Sequence, residues 1–174
     1  MVVIREAKAR DLAGIARIDA ESYDEVKADP NLGITLRLKK PGGDAIRRWT
    51  GLTAERMRKG EILYDVAEEN GDVVGFCFVA SKDVNSEASH VGILGIHVAK
   101  VHRGKGLGTM LIKHMLSRCA KRFDVVEVSV FKLNGRARKL YTRLGFRRWG
   151  VAPEYVKRGR KYIDLEYMYL KMHR

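Results

Sequence analysis

The sequence predicts an α/β protein in which a mixed sheet of about seven strands is covered by helices. Segments with an apolar period of two alternate with segments of helical period, in the order β, α, α, β, β, β, α, β, α, β, β. The chain has 174 residues, 45% of them hydrophobic, which is enough for one well-buried core and short for two domains. We therefore expect a single domain over residues 1–174.

The first half of the chain is predicted to contain one strand, two helices and a long connection between the helices. The strand covers residues 2–7 and the first helix lies within residues 9–23, where Asp11 is a candidate N-cap. The periodic pattern breaks down between Asp24 and Gly43, where prolines and glycines cluster. A second helix follows and ends at Gly60. Long connections in compact domains often bind ligands, so residues 24–43 are a candidate binding segment.

The second half of the chain is predicted to be rich in strands. Its clearest signal is a β-hairpin, two β-rich runs joined by Asn70, Gly71 and Asp72. The other segments are strands at residues 90–98 and 124–131, helices that end near Arg122 and at Gly145, and two final strands within residues 146–172.

The net charge of the chain favours partners that are negatively charged. The charge is +13, from 34 Lys and Arg against 21 Asp and Glu, so we expect attraction to polyanions and phosphorylated cofactors. The basic residues are spread along the chain, without a basic tail or a run interleaved with aromatics, so we expect no specific nucleic-acid binding. A charge-rich surface of the kind found in thermophile proteins would explain the same composition.

Cysteine usage and hydropathy further narrow the class of protein to which the chain can belong. Cys77 and Cys119 lack CxxC spacing and matching histidines, so we expect no disulfide framework and no metal site, and both thiols to be buried. No run reaches the ~18 apolar residues that span a bilayer. The N-terminal stretch MVVIREAKARDL has no apolar signal-peptide segment. We therefore expect a cytoplasmic protein, without membrane attachment, that is a monomer or a homodimer.

A basic turn dense in glycine, from Arg103 to Gly108, lies between a predicted strand and a predicted helix. It is no Walker A loop, because GxxxxGK[ST] does not occur, and it fits the dinucleotide fingerprint GxGxxG poorly, because Thr109 occupies the third glycine position. The turn does fit R/Q-x-x-G-x-G/A. Glycines let successive backbone N–H groups converge on a pyrophosphate, and the helix N-terminus adds partial positive charge.

Together with a second segment, this turn resembles the GCN5-related N-acetyltransferase (GNAT) superfamily. The second segment, LNGRARKLYTRLGF, is similar to N-x-x-A-x-x-x-Y-x-x-x-G-F and is matched by Asn134, Ala137, Tyr141, Gly145 and Phe146. The resemblance implies a central, mixed, mostly antiparallel sheet with helices on both faces. It also implies that acetyl-coenzyme A is the acetyl donor.

The resemblance assigns cofactor-binding roles residue by residue. The end of the fourth strand, Ile96, His97 and Val98, would offer backbone hydrogen bonds to the pantetheine arm and the thioester carbonyl. Asn134 would bond the pantetheine, and Tyr141 would act as general acid to the leaving thiolate. The pyrophosphate would be surrounded by Arg103, Gly104, Lys105, Gly106, Leu107, Gly108 and Thr109.

The general base and the acceptor site are less clearly marked. Family members that carry a base on the fourth or fifth strand place it where this chain has Gly92 or Ser129. Glu127 lies on the same strand face as Ser129, Glu25 matches a substrate-pocket glutamate of protein N-terminal acetyltransferases, and His97 has a suitable pKa. A water chain without a dedicated base is the remaining alternative. The predicted acceptor-site residues are Tyr23, Glu25, Tyr155 and Tyr162.

These observations predict an N-acetyltransferase that transfers acetyl to a primary amine by direct attack in a ternary complex. The tail of the chain resembles family members that acetylate protein amines, so a protein α-amine or lysine is the expected acceptor. One alternative acceptor is a small amine such as a polyamine, an amino acid or an antibiotic. A further alternative is a non-catalytic module that binds coenzyme A or nucleic acid.

Overall fold

The computed structural model of the protein describes residues 1–36 and 39–172. Seven strands in these residues form one sheet in the order β1-β2-β3-β4-β5-β7-β6, which confirms the predicted mixed α/β fold. The strands are β1 (Val2–Glu6), β2 (Ile62–Glu69), β3 (Asp72–Ser81), β4 (Val91–Val98), β5 (Val125–Phe131), β6 (Arg147–Arg158) and β7 (Lys161–Lys171). The α-helices are α1 (Leu12–Ala28), α2 (Gly43–Arg58), α3 (Leu107–Cys119) and α4 (Gly135–Arg143).

The sheet opens between its two parallel strands. Every other neighbouring pair is antiparallel, but β4 and β5 run parallel and pair only from Val91–Val125 to Ile93–Glu127. Beyond Ile93, β4 continues beside β3, and beyond Glu127, β5 continues beside β7. Among the described residues, the facing edges of the carboxyl-terminal halves of β4 and β5 therefore have no strand partner. Their backbone N–H and C=O groups need hydrogen-bond partners from outside the sheet.

Helices cover both faces of the sheet. Helices α3 and α4 pack on one face, where Leu111, Ile112 and Met115 are fully buried against strand residues such as Val126. Helix α1 packs on the other face over Val66 and Phe76, and Met57 of α2 contacts the same cluster. Side chains alternate across each strand, so Ile96 and Val98 face α3 while Gly95 and His97 face α1.

Two local predictions from the sequence are confirmed, and a third is confirmed in position only. Asn70 and Gly71 both have positive φ, as the tight β2–β3 turn requires, and both cysteine thiols are buried. Burial raises the pKa of Cys119 to about 11, so this thiol stays protonated at neutral pH. Asp11 is the N-cap residue of α1, as predicted, but its side chain makes no capping hydrogen bond: the carboxylate accepts from the Lys8 N–H at 2.7 Å and pairs with Arg5.

Among residues 1–36 and 39–172, none of the helices is long and apolar enough to cross a lipid bilayer. The same residues contain no cluster of His, Cys, Asp and Glu that could hold a metal ion.

Candidate active site

The glycine turn presents an open, positively polarised surface at the start of α3. Gly104 and Gly106 have φ values of +87° and +83°, and Gly106 is the N-cap residue of the helix. A Cβ atom at Gly106 would have no protein atom within 4 Å, and the first turn of α3 carries no acidic side chain. The first N–H groups of a helix lack intrahelical partners, so this turn fits an anion such as a pyrophosphate.

A cation that the sequence motifs do not include lies beside the turn. The Arg136 Nη2 atom is 3.6 Å from the point where a Cβ of Gly104 would be. Arg136 is the second residue of α4, and nothing in its spacing from Gly104 identifies the contact. The Arg136 guanidinium and the exposed Lys105 side chain therefore add positive charge beside the N-terminus of α3.

The Arg103 side chain points away from the turn that it begins. Its Nη1 and Nη2 atoms each donate to one oxygen of Glu25, both at 2.7 Å, and its Nε donates to the Val98 carbonyl at 2.8 Å. The structure thus places Glu25, which is predicted as a base or substrate contact, in a bidentate ion pair with Arg103.

His97 is buried beside this ion pair. It is 9% exposed, and its Nε2 atom is 3.4 Å from Nη2 of Arg103. Burial lowers the pKa of His97, and the positive charge of Arg103 lowers it further. Its imidazole is therefore neutral at pH 7 and faces α1, on the side of β4 opposite to Ile96 and Val98.

The lowered pKa of His97 predicts a loss of stability in mild acid. The unfolded chain takes up a proton as the pH falls through about 6.5, while the folded chain does so only at lower pH, so unfolding becomes more favourable. We expect wild type to lose up to about 1.4 kcal/mol per pH unit relative to His97→Gln below pH ~6.5, measured by urea unfolding. The exposed His90→Gln is the control and should follow wild type. A constant difference between wild type and His97→Gln down to pH 5 would contradict the expectation.

Tyr141 lies on the inward face of α4 within the α3 side of the core. It is 5% exposed, its ring packs against Phe146 with centroids 5.6 Å apart, and its hydroxyl has no hydrogen-bond partner among the described residues. Burial raises the pKa of Tyr141 well above its usual value, and the Cys77 thiol adds to the effect. The hydroxyl is therefore a protonated donor at neutral pH that is available to a ligand.

Asn134 holds the α1–α2 connection across the end of β5. Its Oδ1 accepts from the Ala137 N–H at 3.0 Å as the N-cap of α4, and its Nδ2 donates to the Gly33 carbonyl at 2.9 Å. Gly33 in turn lies so close to the Phe131 ring that a Cβ there would be 2.5 Å from the Phe131 Cβ. The donor that the resemblance assigns to the pantetheine is thus engaged within the protein.

The other base candidates lie on the α1 face of β5 and on β4. Glu127 forms the last β4–β5 pair, at the vertex of the opening, and one of its oxygens accepts from Lys82 Nζ at 2.9 Å. Ser129 is exposed farther along the same face. A side chain at Gly92 is excluded, because its Cβ would be 2.4 Å from Val79 Cγ1.

A groove of about 950 Å³ lies between α1, the α1–α2 connection and β6. We call it the α1–β6 groove; its lining includes Tyr23, Asp24, Lys27, Lys39, Lys40, Tyr155, Lys157 and Arg158. Tyr155 is 58% exposed at the groove, whereas the predicted acceptor residue Tyr162 is not in its lining and instead packs under Lys157. Tyr23 is buried at the groove, and its hydroxyl has no hydrogen-bond partner within residues 1–36 and 39–172.

The groove is strongly basic. Among the residues that the structure describes, its lining carries five cationic side chains against one acidic side chain, Asp24, which pairs with Lys40 at 2.7 Å. Arg158 donates to the carbonyls of Pro30, Leu32 and Thr35 and so shapes the wall. The ammonium groups of Lys27, Lys39 and Lys157 have no acidic partner among residues 1–36 and 39–172. Sequence reasoning misses these cations because they come from three separate segments.

The opened β4–β5 edge, the glycine turn and the buried tyrosine are the features to which the sequence resemblance assigns coenzyme A. A family model described as acetyltransferase (GNAT) family matches residues 35–146, and the chain belongs to this family. It is therefore an N-acetyltransferase, with acetyl-coenzyme A as the donor used by the family, and the resemblance predicted from the two motifs is confirmed.

Individual relatives match this chain over different shares of its length. An L-amino acid N-acetyltransferase of Escherichia coli (strain K12) is 31% identical over 169 residues, which cover 96% of each chain. An N-alpha-acetyltransferase 40 of Saccharomyces cerevisiae is 30% identical over 123 residues, which cover 60% of this chain and 43% of the relative. Among solved structures, a putative acetyltransferase from Salmonella typhimurium with acetyl-CoA superposes with a TM-score of 0.87 at 20% identity, covering 100% of this chain and 95% of the other.

Proposed function

We propose that this chain, as a single catalytic domain, transfers acetyl from acetyl-coenzyme A to the α-amine of a free amino acid. The basic α1–β6 groove carries the proposal, because its excess of cations favours an acceptor that bears a carboxylate. The L-amino acid acetyltransferase that aligns over 96% of the chain supports the same acceptor class. This proposal favours the small-amine alternative over the protein amine expected from the sequence.

In the proposed reaction, acetyl-coenzyme A would supply the acetyl group as a thioester. The first N–H groups of α3 would hold its pyrophosphate, and the edge of β4 beyond Ile93 would offer backbone hydrogen bonds to its arm. The Tyr141 hydroxyl would donate a proton to the leaving thiolate. Glu127 is the proposed base and would act through a water molecule. It lies at the vertex of the opening, where Lys82 donates to one of its two oxygens. An α-amino group, with a pKa of about 8, needs little assistance to lose its proton.

The experiment compares free L-amino acids with their carboxamides as acceptors. Amidation removes the carboxylate charge and leaves the α-amine and the side chain in place. A hydrogen bond to a charged group contributes about 1.5–3 kcal/mol, so kcat/KM should fall about 10-fold to 150-fold on amidation of the best acceptor. Lys157→Gln should reduce this discrimination, and Lys139→Gln, an exposed lysine outside the groove, should not. Equal kcat/KM for acid and amide would refute the acceptor class.

A protein amine is the second candidate, and one observation favours it. Tyr155 and Tyr162 project from the β6–β7 hairpin with more than half of each side chain exposed, as the wall of a peptide groove would. The aligned yeast N-alpha-acetyltransferase is consistent with this acceptor. A peptide panel in the same assay distinguishes the two candidates, because a peptide N-terminus has an amide where the free amino acid has its carboxylate.

A further inference from the structure

The ion pair between Glu25 and Arg103 joins the glycine turn, which is the proposed coenzyme A site, to the end of α1 that lines the proposed acceptor groove. Arg103 is followed directly by Gly104 of the anion-binding turn, and Glu25 lies in the last turns of α1. The α1 residues on either side of Glu25, which are Tyr23, Asp24, Val26 and Lys27, all line the α1–β6 groove. Glu25 itself points out of the groove and toward the turn.

The contact is geometrically restrictive and partly shielded from water. Both guanidinium nitrogens engage the carboxylate at 2.7 Å, and the third donor, Nε, is fixed on the Val98 carbonyl at the end of β4. The Glu25 side chain is 12% exposed and the Arg103 side chain 24% exposed. A planar guanidinium held at three points moves as one body with both of its neighbours.

We propose that Glu25 and Arg103 are positioning residues that couple the cofactor turn to the acceptor-facing end of α1. The pair fixes the glycine turn against α1. Binding of coenzyme A to the turn therefore orders the last turns of α1, where the residues on either side of Glu25 line the groove. Neither residue is assigned a proton-transfer role. The groove's identity as the acceptor site rests on the proposed function, whereas the coupling of turn and helix does not.

The first test is a double-mutant cycle on coenzyme A affinity, measured by calorimetry without any acceptor. We expect Glu25→Gln and Arg103→Gln each to weaken coenzyme A by a similar factor, within the 5-fold to 150-fold range typical of coupled sites. Since both changes break one pair, the double variant should be little worse than either single variant. Glu21→Gln, which removes the exposed Arg17–Glu21 pair one turn earlier on α1, is the matched control and should bind as wild type does.

The second test is amide hydrogen exchange at the end of α1, where the Asp29 N–H donates to the Glu25 carbonyl at 2.8 Å. Coenzyme A should slow exchange across residues 26–29 in wild type and in Glu21→Gln, but not in Glu25→Gln. If Glu25→Gln melts early, Glu25→Asp serves instead, because it keeps the charge but is too short for the bidentate contact.

Four results would overturn the proposal. Coenzyme A affinity could be unchanged in both single variants, or exchange at residues 26–29 could respond to coenzyme A in Glu25→Gln as in wild type. Alternatively, Arg103→Gln could weaken binding far more than Glu25→Gln, or Glu25→Gln could tighten it, which would mean that Arg103 leaves Glu25 to bind the pyrophosphate itself. None of these readouts uses an acceptor amine, so they stand or fall independently of the amino-acid assignment.

Discussion

Gly106→Val is expected to abolish measurable binding of coenzyme A. Gly106 has a φ of +83°, a backbone conformation that a β-branched residue adopts only under strain, and the space above it is open on the side where the turn faces a ligand. The valine side chain would occupy that space and displace the turn's N–H groups. Isothermal titration calorimetry with coenzyme A measures the effect, and Gly106→Ala, with a smaller side chain, should give an intermediate loss.

The chain offers a closely matched control for the strain. Gly71, in the β2–β3 turn, has a φ of +88°, and a Cβ atom at this position would likewise have no protein atom within 4 Å, but in the strand order β4 stands between this turn and the β4–β5 opening. Gly71→Val should therefore show a similar loss of thermal stability with normal coenzyme A affinity. Unchanged affinity in a folded Gly106→Val protein would remove the turn from the cofactor site.

Tyr141→Phe is expected to lower turnover by ~10²-fold to 10⁴-fold, the usual contribution of a positioned general acid. The phenylalanine ring keeps the contact with Phe146, and the lost hydroxyl has no partner among the described residues, so the melting temperature and the coenzyme A affinity should change little. Steady-state kinetics at saturating acetyl-coenzyme A, with the best amino-acid acceptor, measures the loss.

Tyr64→Phe is the control for the removal of a buried tyrosine hydroxyl. Tyr64 is 6% exposed and packs against Phe76 and Phe78 on the α1 face, outside the opening. Its variant should turn over normally. If Tyr141→Phe also stays within about threefold of wild type, Tyr141 is a core residue and the proton donor is another group.

The sequence predicts those parts of the fold and site that depend on neighbouring residues. Period-two and helical runs locate the strands and helices, and Arg103 to Gly108 and Asn134 to Phe146 identify the family because each motif is local. The positive φ at Gly106 agrees with the same local pattern, since glycine adopts this backbone conformation without the steric cost that other residues pay.

The parts that the sequence does not predict depend on contacts between distant residues. Glu25 and Arg103 are 78 positions apart, and Asn134 reaches Gly33 across 101, so no spacing rule brings them together. The role expected for Glu25 changes because of a partner that appears only in three dimensions. The groove's cations are similarly dispersed over α1, the α1–α2 connection and β6, and only the fold makes them one surface.

The short β4–β5 ladder divides the sheet into two antiparallel blocks, β1 to β4 and β5 to β6, joined by three residue pairs. Such a seam is where a cooperative structure separates first, because few backbone bonds oppose the opening. A ligand bound between the blocks would therefore also stabilise their contact. At a ligand concentration 100 times its Kd, binding adds about 2.7 kcal/mol to the free energy of unfolding. If acetyl-coenzyme A binds along this opened edge, as proposed, it would bridge the two blocks, and its binding free energy would add to the stability of the folded chain.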